Sequence, residues 1–130
     1  MIVKQIKLSG QAKDRLSRLK GRTGIQNWNV LCRWALCYSL SEGTIPAPQE
    51  QPADSNVEIS WHTFAGEYGE IYDALIKAWC SAHSLPVDEE TLAQYFKAHL
   101  NRGISYLSGN YSIKSLDDMI GLSLEKKAAK

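Results

Sequence analysis

The chain has 130 residues, 44% of them hydrophobic and 22% charged, with a formal net charge of +1. That size and balance fit one globular domain with a single core, and they exclude wholesale disorder or two large independent domains. No run approaches the roughly 20 apolar residues of a membrane span, and the N-terminus lacks the apolar core of a signal peptide. Three cysteines, Cys32, Cys37 and Cys80, are an odd set that argues for reduced, mostly buried thiols rather than a disulfide framework. A soluble cytoplasmic protein with no membrane partner is expected.

The near-neutral total conceals an asymmetry. Residues 1–40 hold eight Lys or Arg (Lys4, Lys7, Lys13, Arg15, Arg18, Lys20, Arg22, Arg33) against one acid, Asp14, a net +7. The remaining ninety residues hold seven basic and thirteen acidic side chains, a net −6. One acid among nine charges is unusual for a merely solvating surface and points to a polyanion partner.

Residues 2–8 alternate in the manner of a strand, and a lone strand this short must pair with something. Ser9 suits an N-cap, and Ala12, Leu16 and Leu19 then form one helical stripe, with Lys13 and Lys20 on one flank and Gln11, Arg15 and Arg18 on the other. Gly21 is expected to end this helix. Thr23 is a second N-cap candidate for a helix from Ile25 to about Leu40. Its apolar residues run nearly all round, so it should be central, with a second apolar side left for another subunit.

Residues 41–60, SEGTIPAPQEQPADSNVEIS, form a Pro-rich acidic connector in which helix is disfavoured. Val57, Ile59 and Trp61 alternate and allow a short extended segment. A third helix is expected from about Glu67 to Ala82, with Ile71, Tyr72, Leu75, Ile76 and Trp79 on its inner face. Asp88 is a good N-cap for a fourth, with Val87 and Leu92 placed as a hydrophobic staple. That helix carries Leu92, Tyr95, Phe96, His99, Leu100, Ile104 and Leu107 inward and ends at Gly109 and Asn110. A short fifth helix spans Ser115 to Gly121, before a frayed tail.

The fold expected is mainly α, with an N-terminal ribbon-helix-helix-like unit of one short strand and two helices packed with a C-terminal helical bundle. Its parts are a basic DNA-binding segment (1–42), the connector (43–60), a helical subdomain (61–122) and the tail (123–130), in one compact domain. In a ribbon-helix-helix arrangement two chains pair their first strands, and the ribbon turns Val3, Gln5 and Lys7 toward the major groove. The N-terminus of the second helix would offer free N–H groups to a phosphate near Arg22, Thr23 and Gly24. The plainer reading is a solvated basic helix face, with Ile2 to Leu8 paired inside its own fold.

Other chemistries find little support. KGRTG lacks the pattern of a nucleotide-binding phosphate loop. His62, His83 and His99 are dispersed, and Cys32 and Cys37 are five apart on one helix, so neither set makes a metal pair. Cys80 has no basic cluster to lower its pKa, and an inert thiol is the simpler reading. Glu67, Glu70 and Asp73 lie along one helix edge, where a solvated acidic face explains them without a metal ion. No cofactor, metal site or catalytic group is expected.

The runs LSGQAKDRLSRLKGRTGIQNWNVLCRWALCYSL, PADSNVEISWHTFAGEYGEIYDALI and HLNRGISYL, within residues 2–110, resemble the DndE family of bacterial DNA sulfur modification proteins. The resemblance implies a DNA-associated component of the machinery that replaces a non-bridging phosphate oxygen with sulfur, the sulfur-mobilising and ATPase chemistry belonging to partner proteins. It implies as partners double-stranded DNA, nicked or distorted forms included, and other DNA sulfur modification proteins near the nucleoid, while the lone strand demands a dimer of the chain itself and the second apolar face of the Ile25 to Leu40 helix suits a tetramer. The expected DNA contacts are Lys7, Lys13, Arg15, Arg18, Lys20, Gly21, Arg22, Thr23 and Gly24. The rival functions are a DNA-nicking or sulfur-relay enzyme and a ribbon-helix-helix repressor.

Overall fold

The structure, a computed structural model, describes residues 1–128. The order is β1 (Gln5–Lys7), α1 (Gly10–Thr23), α2 (Trp28–Ser41), β2 (Glu58–Ser60), α3 (Trp61–Ala65), a 3-10 turn (Gly66–Tyr68), α4 (Gly69–Ala82), α5 (Glu89–Gly109) and α6 (Leu116–Ala128). The fold is mainly α, as expected. Its centre is the contact of α2 with α5, the most extensive between any two elements.

The strand finds its partner within the chain. β1 pairs antiparallel with β2, Gln5 opposite Ser60, Ile6 opposite Ile59 and Lys7 opposite Glu58. Ile6 and Ile59 turn inward together, which anchors a three-residue strand that could not stand alone. The two-chain ribbon expected from the sequence is therefore not needed to satisfy β1, and the strand-helix-helix order survives without it.

Ser9 caps α1 as expected, its Oγ accepting from the Ala12 N–H at 3.0 Å. The helix does not stop at Gly21. It continues to Thr23 because the buried stripe Ala12, Leu16, Leu19 and Thr23 gains another turn of contact, and it ends at Gly24, whose φ of 76° is the left-handed cap that glycine adopts without strain. Thr23 is no N-cap: its hydroxyl donates back to the Leu19 carbonyl at 2.7 Å. The second helix starts three residues later than expected, after Asn27.

Ser60 caps α3 by accepting from the Thr63 N–H at 3.0 Å, so Trp61 opens a helix rather than closing a strand. Trp61, Phe64 and Phe96 form an aromatic cluster with centroids 5.4 to 5.5 Å apart. Full burial of a ring such as Phe64 or Phe96 is worth roughly 1.5–3 kcal/mol.

On α4 the inner face is Tyr72, Ile76, Trp79 and Cys80. Ile71 and Leu75, expected inside, are 55% and 43% exposed, because α4 is covered from one side only. Asp88 caps α5 with bonds from Thr91 N–H and Oγ, which hold its carboxyl below the usual carboxylate range. α6 runs to Ala128 instead of ending at Gly121, taking in most of the expected tail; residues 129–130 lie outside the described residues.

A polar network crosses the α2–α5 contact. Ser39 Oγ lies 2.8 Å from His99 Nδ1, both residues fully buried, and accepts from Arg102 Nε at 2.8 Å. The same guanidinium donates to the Ser39 and Thr44 carbonyls at 2.9 and 3.1 Å, placing a positive charge at the C-terminus of α2, where the helix dipole favours it.

Candidate nucleic-acid interface

The site is built on α1. With its stripe Ala12, Leu16, Leu19 and Thr23 against the core, the helical repeat of about 100° per residue sends Arg15, Arg18 and Arg22 down one flank and Lys13 and Lys20 down the other. Between the rows runs an exposed ridge of Asp14, Ser17 and Gly21, and no heavy atom lies within 4 Å of where a Cβ on Gly21 would stand. Lys4 and Lys7 add two exposed cations on and beside β1.

These cations differ in how they are held. Arg33 is structural: its guanidinium donates to the carbonyls of Phe64 and Thr63, capping the end of α3. Lys13 Nζ donates to Asn56 Oδ1 at 2.6 Å. The Lys20 ammonium sits 3.6 Å from the centre of the Trp28 ring, and Arg22 donates to the Ser108 carbonyl at 2.8 Å while lying over Tyr111. These partners are neutral, so each side chain is oriented with its charge intact. Lys7, Arg15 and Arg18 have no partner among the described residues, where the sole ion pair joins the Met1 ammonium to Asp73 at 3.1 Å. None of the eight N-terminal Lys and Arg side chains is neutralised by a carboxylate there.

The expected turn works differently. Gly21 to Gly24 is the end of α1, where carbonyls rather than N–H groups project, and the Gly24 N–H is already donated to the Lys20 carbonyl at 2.9 Å. Thr23 is buried. The free N–H groups of the second helix lie instead at Trp28 to Val30, after an Asn27 that makes no side-chain cap. Lys20, lying on Trp28, brings its charge to that same turn. The aromatic partners Trp28 and Tyr111 were missed in the sequence, Tyr111 because nothing local ties the loop before α6 to α1.

The residues of the rival chemistries are scattered. Cys80 is fully buried, and burial followed by the charge of Asp88 raises its pKa, which disfavours the thiolate. Cys32 is buried with its thiol pushed up to about 12, and Cys37 is exposed. Glu67 and Glu70 point to solvent, while Asp73 is taken up by the N-terminal ammonium. Among the described residues no group of three or more His, Cys, Asp or Glu is disposed to hold a metal ion. No helix among them is long and apolar enough to cross a membrane.

A paired short strand, a central α2–α5 crossing and a cation-rich first helix define a small, mainly helical protein with one basic face. The fold matches the crystal structure of DndE from Escherichia coli B7A, involved in DNA phosphorothioation modification, with a TM-score of 0.67 and 26% identity over 82% of this chain and 98% of that one. It also matches a glycine-to-lysine mutant of DndE involved in DNA phosphorothioation, with a TM-score of 0.63 and 22% identity over 83% and 99%. No curated protein matches significantly. Residues 5–115 match the family model for the DNA sulphur modification protein DndE, and the chain belongs to that family.

Proposed function

We propose that this protein is a non-enzymatic DNA-binding component of a phosphorothioation system, holding the duplex backbone through α1 and β1 as an oligomer. The observation that carries this is the set of N-terminal cations with no carboxylate partner among the described residues, seven positive charges in excess over residues 1–40. Lys7, Arg15 and Arg18 are free to reach phosphates. Lys13, Lys20 and Arg22 are held by neutral partners that leave their charge intact and that they give up to reach a phosphate. The ridge at Ser17 and Gly21 lets the backbone approach between the two rows. Thr23 and Gly24 contribute by shaping the turn rather than by donating to phosphate.

Cations spread along two rows contact phosphate oxygens and carry no base information. Val3, half-buried and apolar, has no hydrogen-bonding group with which to read a base edge. Self-association is proposed through the exposed apolar side chains of Tyr68, at the end of the 3-10 turn, and Ile71 and Leu75 on α4, with the half-buried Trp34 of α2. Competition of a labelled duplex against random-sequence duplex tests the reading. Equal competition is expected, whereas a palindromic site preferred by about a thousandfold identifies a repressor instead.

A further inference from the structure

The outer edge of β1 is unpaired among the described residues. Trp61 N–H donates to the Lys4 carbonyl at 2.9 Å and Leu8 N–H to the Val57 carbonyl at 3.2 Å. With Ile6 opposite Ile59, the alternation of an antiparallel pair turns the backbone groups of residues 4, 6 and 8 toward β2. It turns the N–H and C=O groups of Gln5 and Lys7 away, and these have no partner among the described residues. A strand edge left this way is a template for another strand.

That edge opens into a groove of about 720 Å³ between β1, the connector and α5. Its lining includes Lys7 and Lys97, Glu50 and Glu90, and the amide side chains Gln5 and Gln94. The lining therefore has no net charge. A polyanion is disfavoured by the two glutamates, and the β1 of a second copy would add Lys4 and Lys7 to a lining whose acids are already matched by Lys7 and Lys97, leaving two positive charges in excess. The connector holds its place by bonds to the start of α1, Asp54 Oδ1 accepting from Gly10 N–H at 2.6 Å and Ser55 Oγ donating to the Leu8 carbonyl at 2.7 Å.

We propose that this groove takes an extended, polar, near-neutral peptide segment of a partner protein, added to β1 as a third strand. Gln5 and Lys7 supply the main-chain hydrogen bonds, and the charged walls select the side chains. The site shares Lys7 with the proposed phosphate contacts and is otherwise separate from the rows of α1.

The test is selection of a displayed random twelve-residue peptide library on the full-length protein, followed by hydrogen exchange with a selected peptide. Proline at position 5 removes only the N–H that points away from β2, so Gln5→Pro leaves the β1–β2 bonds intact. Selected peptides are expected to bind Gln5→Pro at least about tenfold more weakly and to slow exchange at the Gln5 and Lys7 amides of the unaltered protein by a similar factor. The exchange measurement stands even if Gln5→Pro fails to fold. An unenriched library overturns the proposal, as do peptides that leave both amides unprotected. Protection of those amides by duplex DNA, or by raising the protein concentration alone, overturns it in favour of those occupants.

Discussion

Gly103 of α5 lies directly on the backbone carbonyl of Ala35 in α2: a Cβ at position 103 would stand far inside van der Waals contact distance of that oxygen. Since the obstacle is main chain, no rotamer change relieves it, and the two helices would have to separate at their most extensive contact. Gly103→Ala is expected to lower stability by at least about 3 kcal/mol. Urea denaturation at neutral pH measures this, and a loss below about 1 kcal/mol would show that the crossing is looser than the structure has it.

The two glycines of the α1 turn should respond in opposite directions. Gly21 is helical, exposed and uncrowded, so Gly21→Ala stabilises by about 0.5–1 kcal/mol through helix propensity. Gly24 sits at φ 76°, where an L side chain is strained, and Gly24→Ala destabilises by about 1 kcal/mol. Thermal midpoints of the two variants decide the matter. The same sign for both would return the helix end to Gly21.

His99 gives the fold a pH dependence. Burial first, then the charges of Arg102 and His83, lower its pKa from 6.5 to about 4. As pH falls through that window the unfolded chain takes up a proton that the native state refuses, so stability is full above pH 6.5 and is lost toward pH 4. The integrated loss is about 3 kcal/mol. In His99→Gln, whose amide oxygen still accepts from Ser39, the slope of stability against pH in this window should flatten.

The long helix α5 was legible because local signals agreed: Asp88 as cap, Val87 and Leu92 as staple, and a stripe from Leu92 to Leu107. The cationic rows of α1 were legible for the same reason. The pairing of β1 was not, because three residues cannot specify a partner and Trp61 at the end of the alternating run is claimed by the Ser60 cap. Nor were the tasks of Arg33 and Arg102, which serve carbonyls about 30 and 60 residues away. The turn was misread where two glycines stand three apart, and burial of Thr23 chose the second.

The two rows of α1 should contribute unequally to DNA binding. Arg15 and Arg18 have no partner to give up, whereas Lys13 and Lys20 leave Asn56 and Trp28. Arg15→Ala with Arg18→Ala should weaken duplex binding more than Lys13→Ala with Lys20→Ala. The Arg15–Arg18 pair should reduce the salt slope by about 2 and the Lys13–Lys20 pair by about 1. Equal binding by all three proteins would remove α1 from the interface.

The most direct measurement is the affinity of the full-length protein for a short duplex as sodium chloride rises from about 50 to 200 mM. Release of counterions by roughly three phosphate contacts per protomer makes log K fall against log salt with a slope near −3, steeper for each further protomer engaged. Affinity that holds constant over that range contradicts backbone binding by the N-terminal cations.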